Sequence, residues 1–444
     1  MKKVITYGTY DLLHYGHIQL LKRAKALGDY LIVGVTADSF DLNRGKINVQ
    51  QSLIERIEAV KATGIADEII VEEYEGQKID DIRRYDIDIF TVGSDWTGHF
   101  DYLKEYCEVV YLERTEGISS SELRTEHQEL RIGIVGEPSV LVKFERESHF
   151  VNGISISCFY TSVESDAVKR LAEKCQQVSL YEELLDTSDA VFIASKPQEH
   201  YSHIKKALLL HKHVLALTPV TINLQQYHDL LHLAQENKCI LMDALKTAYS
   251  TAYTRLLLLA KSGKIGQIVS VDATCTNLEN LNQHRIKDMW NSICGWGPTA
   301  MLPILQLLGT DITSARIYSH IIDESLHFDS FTKIDFTFPS AVASLKVGKG
   351  VKSEGELIIS GTQGYIYVPA PWWKTDYFEI RYENPIDNQR FFYQLEGEGF
   401  RYEQLSFLKA VKKGKTIANI DSKVSEAVVG IIEKYFNGQD IIRI

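Results

Sequence analysis

Two histidines stand three residues apart near the N-terminus, in the segment His14-Tyr15-Gly16-His17. An apolar run precedes this segment and an amphipathic run follows it, which predicts that a strand ends and a helix begins there. Gly16 allows the backbone to approach a ligand closely, and the first turn of a helix offers free N–H groups to a phosphate. Both imidazoles can donate hydrogen bonds to phosphate oxygens as charge builds up in phosphoryl transfer. Alone, the same spacing fits two surface histidines, so the interpretation depends on the rest of the chain.

A second segment of the same chemical kind comes much later: Arg114-Thr115-Glu116-Gly117-Ile118-Ser119-Ser120-Ser121. It supplies a guanidinium, a flexible glycine and three hydroxyls where a helix is expected to start, and such groups both cap helices and hold phosphates. An ordinary capped helix would show the same residues. Between the two segments, Arg44 and Lys46 form a short basic patch in an acidic protein, and these cations suit a triphosphate or an incoming phosphate.

Alternating strands and helices must position these residues. The strand–helix alternation from Lys3 to about Arg124 predicts a parallel sheet whose ligand lies beyond the carboxyl ends of the strands. The alternation starts again after the polar stretch Leu123 to Glu129, and the chain is strand-rich from Gln267 onward. The predicted fold class is α/β. We expect a Rossmann-like domain over residues 1–126, a second Rossmann-like domain over 130–245, and an α+β domain with a mostly antiparallel sheet over 246–444.

The first domain carries a family resemblance. Its segments GTYDLLHYGH, GSDW and RTEGISSS resemble the glycerol-3-phosphate cytidylyltransferase group of the HxGH nucleotidyltransferases, over residues 1 to about 125. The resemblance implies that a polyol-phosphate oxygen attacks the α-phosphorus of CTP, with Mg²⁺ assistance and without a covalent enzyme intermediate. The products are pyrophosphate and a CDP-polyol, with glycerol 3-phosphate the best candidate substrate. A surface-polymer or capsule precursor is the implied destination.

Residue by residue, the resemblance implies that His14, His17, Lys46 and Arg114 act on the reacting phosphates. It implies that the nucleotide contacts Thr9, Tyr10, Gly16, Asp95, Gly117, Ile118, Ser119, Ser120 and Ser121. Arg44 and Lys78 fall on the substrate side. Ser120 and Ser121 stand where the family often has threonine, and this keeps the hydroxyls. Ser94 stands where an aspartate is common, and this bears on the identity of the substrate.

The second Rossmann pattern lacks parts of a dinucleotide site. Of the glycines that the fingerprint requires, only Gly136 stands, while Pro138 and Leu141 occupy the other two places. Glu137 adds negative charge where a pyrophosphate would lie. The next strand ends at Tyr160 without the acidic residue that holds a ribose hydroxyl. We therefore expect NAD(P) to bind poorly.

Residues from about 130 to 444 nevertheless resemble the glucose–fructose oxidoreductase/inositol dehydrogenase family, through LYEELL, DAVFIA and the Pro197, His200, His203 segment. The resemblance implies the fold but not the chemistry. Thr218 stands at the place of the catalytic lysine, and Met301 and Leu305 replace an aspartate and a histidine. Hydride transfer would then lack its acid–base partner. Lys246 and His203 are the remaining candidates for that role.

Composition narrows the function further. A formal charge of −11 argues against a general nucleic-acid binder, and the six scattered cysteines form no CxxC pair, so we expect no metal site built by the chain itself. The apolar runs predict no membrane span. A cytoplasmic enzyme that binds CTP and a small polyol phosphate, as a homodimer, is the expectation. Three functions remain open: a cytidylyltransferase with a noncatalytic second part, a bifunctional enzyme whose reductase makes the polyol phosphate, and a noncatalytic assembly or binding protein.

Overall fold

A computed structural model describes residues 1–37, 49, 51–74, 76–113, 129–374, 376–393, 395, 397–415 and 419–444. The chain divides into two compact units, Met1–Glu129 and Leu130–Ile444. Among the described residues, none of the helices combines the length and the apolar composition needed to cross a bilayer.

The first unit is a parallel α/β sandwich. Its strands are β1 (Lys3–Gly8), β2 (Tyr30–Thr36), β3 (Glu68–Glu72), β4 (Ile89–Gly93) and β5 (Glu108–Leu112). Its described helices are α1 (Tyr15–Lys25), α2 (Leu53–Ala62) and α3 (Gln77–Tyr85). The strand order is β3-β2-β1-β4-β5 and every pairing is parallel. All five carboxyl ends therefore meet at one edge, which is where a ligand site is expected.

Local sequence explains the ends of these helices. Ser52 and Glu55 form a capping box before α2, so that helix begins where its sequence predicts. Helix α1 begins at Tyr15, three residues before the apolar stripe that starts at Ile18, because His14 serves as its N-cap. Strand β4 starts at Ile89, later than the apolar pattern suggests, because Asp86 ends α3 in the left-handed conformation, with φ of 55°.

The second unit begins with a second parallel sheet. Its strands are β6 (Leu130–Gly136), β7 (Ile154–Tyr160), β8 (Gln176–Gln177), β9 (Ala190–Ala194), β10 (His213–Leu217) and β11 (Leu241–Ala244). The helices are α4 (Pro138–Ser148), α5 (Asp166–Ala172), α6 (Tyr181–Thr187), α7 (Pro197–Leu209) and α8 (Leu224–Glu236). The order β11-β10-β9-β6-β7-β8 is that of a doubly wound sheet.

A mixed sheet completes the second unit, with order β19-β18-β17-β16-β12-β15-β14-β13-β20. Its strands are β12 (Ile268–Thr276), β13 (Ser314–Asp323), β14 (Phe328–Thr337), β15 (Val342–Gly348), β16 (Leu357–Gly361), β17 (Tyr365–Val368), β18 (Tyr377–Arg381), β19 (Gln389–Phe392) and β20 (Ile441–Arg443). The helices are α9 (Thr251–Lys261), α10 (Gln283–Ile286), α11 (Ser292–Leu308), α12 (Phe400–Lys413) and α13 (Ser422–Phe436). Most of its pairings are antiparallel, so the predicted fold class is confirmed.

Candidate active site

The two histidines of the first unit lie together at the start of α1. Their rings stack with centroids 3.9 Å apart. The Gly16 N–H donates to Nδ1 of His14 over 3.1 Å. A neutral imidazole carries one proton, so this bond places the His14 proton on Nε2. His14 is therefore held as a hydrogen-bond donor through its outer nitrogen.

The N-terminus of α1 adds to this donor. Its first turn contains no acidic residue, and Lys22, Arg23 and Lys25 occupy the last turn. The partial positive charge of the helix N-terminus is thus not offset by a carboxylate in its own first turn. An anion placed beside His14 and His17 meets both the imidazoles and this charge.

Tyr10 is a buried residue that packs against the second histidine, His17. It is 2% exposed, packs in the core of the unit and meets the His17 ring edge-on at 5.6 Å. Both Tyr10 and Leu12 have positive φ, at 53° and 48°. A non-glycine residue in this region is uncommon and persists where surrounding contacts enforce it. The nucleotide contact predicted for Tyr10 stays a prediction.

Those enforcing contacts come from α2. Arg56, with no exposed surface, donates from Nη1 to the carbonyls of Thr9 at 2.7 Å and Thr36 at 2.8 Å. Its Nε donates to the carbonyl of Gln51 at 3.1 Å. The side chains of Gln51 and Asp11 complete the frame, since Gln51 Oε1 accepts from the Leu12 N–H and Asp11 Oδ1 accepts from the Gln51 N–H. One buried guanidinium thus joins the β1–α1 turn to the end of β2.

Sequence reasoning missed Arg56. The signal was present, because Arg56 lies on the same helical face as the apolar residues Leu53 and Val60. A charged residue on an apolar stripe indicates a buried partner, and here the partners are main-chain carbonyls.

Lys78, predicted on the substrate side, is 6% exposed and pairs with Glu72 at the carboxyl end of β3. Its ammonium also lies 4.6 Å from the centre of the Tyr7 ring, and Thr36 Oγ1 donates to Glu72. Lys78 therefore lies beside the sheet edge where a substrate is expected, as one half of an ion pair. Burial and the neighbouring Asp81 raise the pKa of Tyr7 above its usual range.

Asp95 lies just beyond β4, in the 3-10 turn Ser94–Trp96, and its side chain is exposed at the same carboxyl edge. The remaining predicted residues lie outside the described part of the chain. They are Arg44, Lys46, Arg114, Gly117, Ile118, Ser119, Ser120 and Ser121. The structure thus brings together His14, Gly16, His17 and the Thr9–Tyr10 turn, and places Lys78 and Asp95 at the same sheet edge.

In the second unit, the loop that would hold a dinucleotide is otherwise engaged. Gly136 has φ of 124°, and a Cβ there would lie 2.0 Å from the Ala194 carbonyl oxygen. The Glu137 N–H donates to that same oxygen over 2.9 Å. Pro138, the first residue of α4, has no N–H. Two donors that would face a pyrophosphate are therefore lost, and the loop does not fit the cofactor.

Residues 286–290, which we name the strap, lie against the start of α7. Lys196 pairs with Asp288 at 3.1 Å, and Gln198 donates to the Lys287 carbonyl at 2.7 Å. Trp290 meets the His200 ring edge-on at 5.6 Å. Residues of both segments help to line a cavity of about 260 Å³. The strap thus lies beside the start of α7, the helix that follows the carboxyl end of β9.

Two of the residues that the sequence analysis assigned to the family's catalytic positions are buried and apolar, and the two candidate substitutes have partners within the chain. Met301 and Leu305 are buried inside α11, at 0% and 2% exposure. Of the two candidate substitutes, His203 accepts or donates a 2.7 Å hydrogen bond with Ser195, and burial lowers its pKa. The other substitute, Lys246, pairs with Glu398.

Comparisons with known proteins agree with this division. Residues 5–126 match the family described as cytidylyltransferase-like. The glycerol-3-phosphate cytidylyltransferase of Bacillus spizizenii is 53% identical over 124 residues, which are 28% of this chain and 95% of the relative. That of Staphylococcus aureus is 49% identical over 126 residues, again 28% of this chain and 95% of the relative. The chain belongs to the cytidylyltransferase-like family. Its first unit is a nucleotidyltransferase.

Residues 131–244 match the oxidoreductase family with an NAD-binding Rossmann fold. A 3-ketoreductase from Actinomadura kijaniata, solved with NADP and TDP-benzene, superposes with a TM-score of 0.63 at 18% identity, over 71% of this chain and 99% of that one. UDP-N-acetylglucosamine 3-dehydrogenase from Acidithiobacillus ferrooxidans superposes with a TM-score of 0.59 at 16% identity, over 70% and 98%. These likenesses show the fold. The cytidylyltransferase-like unit is thus joined to a second unit built on an oxidoreductase frame.

Proposed function

We propose that the first unit transfers CMP from CTP to a polyol phosphate, with glycerol 3-phosphate as the best candidate. The observation that carries the proposal is the stacked His14–His17 pair, with the His14 proton held on Nε2 at the N-terminus of α1. Relatives of about half identity that cover this unit are glycerol-3-phosphate cytidylyltransferases.

The residues of the site suggest how the transfer proceeds. CTP is expected to lie with its phosphates over the N-terminus of α1, where His14 and His17 donate to the α-phosphate. A phosphate oxygen of the polyol phosphate attacks the α-phosphorus, a new P–O bond forms, and the bond to the β-phosphate breaks as pyrophosphate leaves. No covalent enzyme intermediate is needed. Mg²⁺ enters with the triphosphate as part of the substrate.

The site must also hold the α-phosphate of CTP and the phosphate of the polyol phosphate in line for the transfer. Lys46, Arg114 and the serines 119–121 are proposed to cover the triphosphate, and Arg44 to face the substrate. Lys78 is committed to Glu72, so we expect it to fix the wall of the substrate region and not to bind a phosphate by itself. The hydrogen bonds that Arg56 donates fix the position of the β1–α1 turn, which leads into the two histidines.

We propose that the second unit is noncatalytic. The loss of two N–H donors at Glu137 and Pro138, and the apolar Met301 and Leu305, support this. The bifunctional alternative, in which the second unit reduces a precursor to the polyol phosphate, is favoured by its oxidoreductase frame alone. A homodimer, a cytoplasmic location and a role in surface-polymer or capsule synthesis stay predictions.

The test of the first proposal is pyrophosphate release from CTP, Mg²⁺ and a panel of polyol phosphates. We expect release with glycerol 3-phosphate and its loss in His14→Ala. His232→Ala, which removes an exposed histidine of the second unit, is the control and should keep full activity. Release from ATP in preference to CTP, or no release with any polyol phosphate, would refute the proposal.

The noncatalytic proposal has a separate test. NADH and NADPH are titrated into the full chain while their fluorescence is followed. We expect no saturable binding below millimolar concentrations, since the loop lacks its donors. Micromolar affinity would overturn this proposal and favour the bifunctional enzyme.

A further inference from the structure

Three lysines of the second unit converge on one carboxylate, that of Glu398. Lys143 from α4 lies 3.1 Å from Glu398 Oε2, Lys246 lies 3.4 Å away and Lys374 lies 3.0 Å away. Lys246 opens the 3-10 turn Lys246–Tyr249, and Lys374 closes the 3-10 turn Trp372–Lys374. Three separate segments therefore bring their ammonium groups to one point, which we name the lysine cluster.

The lysine cluster holds more positive charge than its own carboxylate offsets. Because all three Nζ atoms contact the same oxygen, they lie within about 7 Å of one another, and like charges so close repel. The three ammonium groups and the Glu398 carboxylate together carry a net charge of +2. Burial lowers the pKa of Lys246, although the neighbouring Glu398 carboxylate acts in the opposite direction.

A second carboxyl group nearby does not supply the missing charge. Glu403 on α12 is 1% exposed, and burial raises its pKa to about 8 despite the attraction of Lys246. This shift favours the protonated form, and Glu403 Oε1 has no hydrogen-bond partner in the described part of the chain. A protonated carboxyl group is a donor to an anion. Helix α12 also begins here, after Gly399, with no side-chain cap on its N–H groups.

An aromatic residue stands next to the lysine cluster in the chain. Trp373 precedes Lys374 and is half-buried, and its ring lies 4.9 Å from that of half-buried Trp296. Thr247 Oγ1, next to Lys246, donates to the Trp373 carbonyl at 3.1 Å. The backbone of Trp373 is thus fixed beside two lysines of the cluster, Lys374 through the chain and Lys246 through this bond. Trp372, in contrast, is 2% exposed and belongs to the core.

We propose that the lysine cluster and Trp373 form a binding site for a nucleoside diphosphate ester. Such an ester carries two negative charges on its pyrophosphate, which match the charge left on the lysines, and a flat base that stacks on an indole ring. The CDP-polyol that the first unit is proposed to make belongs to this class. The choice of cytidine rests on that proposed function, while the site itself rests on the lysines and the tryptophan.

The test is calorimetric titration of the full chain with CDP-glycerol. The wild type should bind two molecules per chain, one in each unit, and tryptophan fluorescence should fall as the second unit fills. The double variant Lys246→Gln/Lys374→Gln should bind one. Trp373→Leu should weaken the second site about tenfold and remove the fluorescence change. Lys205→Gln, an exposed lysine on α7, is the matched control and should leave both sites unchanged.

Glu398→Gln separates a ligand site from a structural cluster. It removes the carboxylate that competes with the ligand, so the second site should tighten about tenfold in a variant whose fold is confirmed by circular dichroism. Weaker or unchanged binding would overturn the proposal. A wild type that binds one molecule, with that site unchanged in the lysine variants, would also overturn it, as would no binding at all.

The two proposals fail separately. If the wild type binds one molecule and the lysine variants bind none, the lysine cluster is a binding site and the first unit does not retain its product. Lysine-dependent binding of UDP-glucose without binding of CDP-glycerol would overturn the link to the first unit's product.

Discussion

Arg56 offers the sharpest test of how the first unit positions its histidines. Arg56→Met keeps the length and apolar stem of the side chain but removes its donors to the carbonyls of Thr9, Thr36 and Gln51. Hydrogen bonds from a charged donor contribute about 1.5–3 kcal/mol each, and the carbonyls left behind are partly buried. Because water can replace part of these three hydrogen bonds in the variant, the expected loss is smaller than their sum. We expect the free energy of unfolding of the first unit to fall by about 3–5 kcal/mol.

The rate should fall as well, because the Thr9 carbonyl leads into the turn that carries His14. A displacement of about 1 Å costs on the order of 100-fold in rate, so we expect pyrophosphate release to fall by roughly that factor. Arg56→Lys keeps the charge without the forked donors and should give an intermediate loss. The assay combines urea unfolding with pyrophosphate release at saturating CTP. Arg84→Met, on the exposed face of α3, is the control. Full stability and a rate within threefold of the wild type in Arg56→Met would refute the reasoning.

Three further predictions concern the second unit. Gly136→Ala should cost at least about 3 kcal/mol in urea unfolding, because φ is 124° and the new Cβ would meet the Ala194 carbonyl; an unchanged midpoint would contradict this. Trp372→Ala should cost about 3–5 kcal/mol by the same measurement, and Trp373→Ala, which truncates the half-buried neighbour, should cost less. The Glu403 carboxyl has a folded pKa of about 8, above its ordinary value, so the native unit holds an extra proton and its stability should fall as pH rises from about 5 to 8. Glu403→Gln should flatten that slope in melting curves, and a slope as steep as that of the wild type would assign it to other groups.

Most of the first unit could be predicted because its strands and helices are written locally. The buried strand Tyr30–Thr36 is an apolar run, and the cap at Ser52 sits where its sequence indicates. The start of α1 was harder to predict, since the N-cap is a histidine, which also serves the site. The role of Arg56 was not predicted, because it donates to main-chain carbonyls, which every residue has and which the sequence therefore does not distinguish.

The second unit shows the opposite limit. Helix α11 contains Pro298 and Pro303, which argue locally against a helix, and its burial between other elements overrides that preference. The strap was not predicted, because its partners on α7 lie about ninety residues away in sequence. The departure from the Rossmann fingerprint at Pro138 could be predicted from the sequence. A proline lacks the N–H, so the missing donor follows from the residue type alone.

The bond from the Glu137 N–H to the Ala194 carbonyl has a consequence for folding in the cell. A domain that keeps such a donor for a ligand is stabilised by mass action, and its folded fraction follows the supply of that ligand. Here the donor is satisfied within the chain. The Rossmann half of the second unit should therefore unfold at the same temperature whether nicotinamide dinucleotides are scarce or abundant, and its abundance should not depend on the redox metabolism of its host.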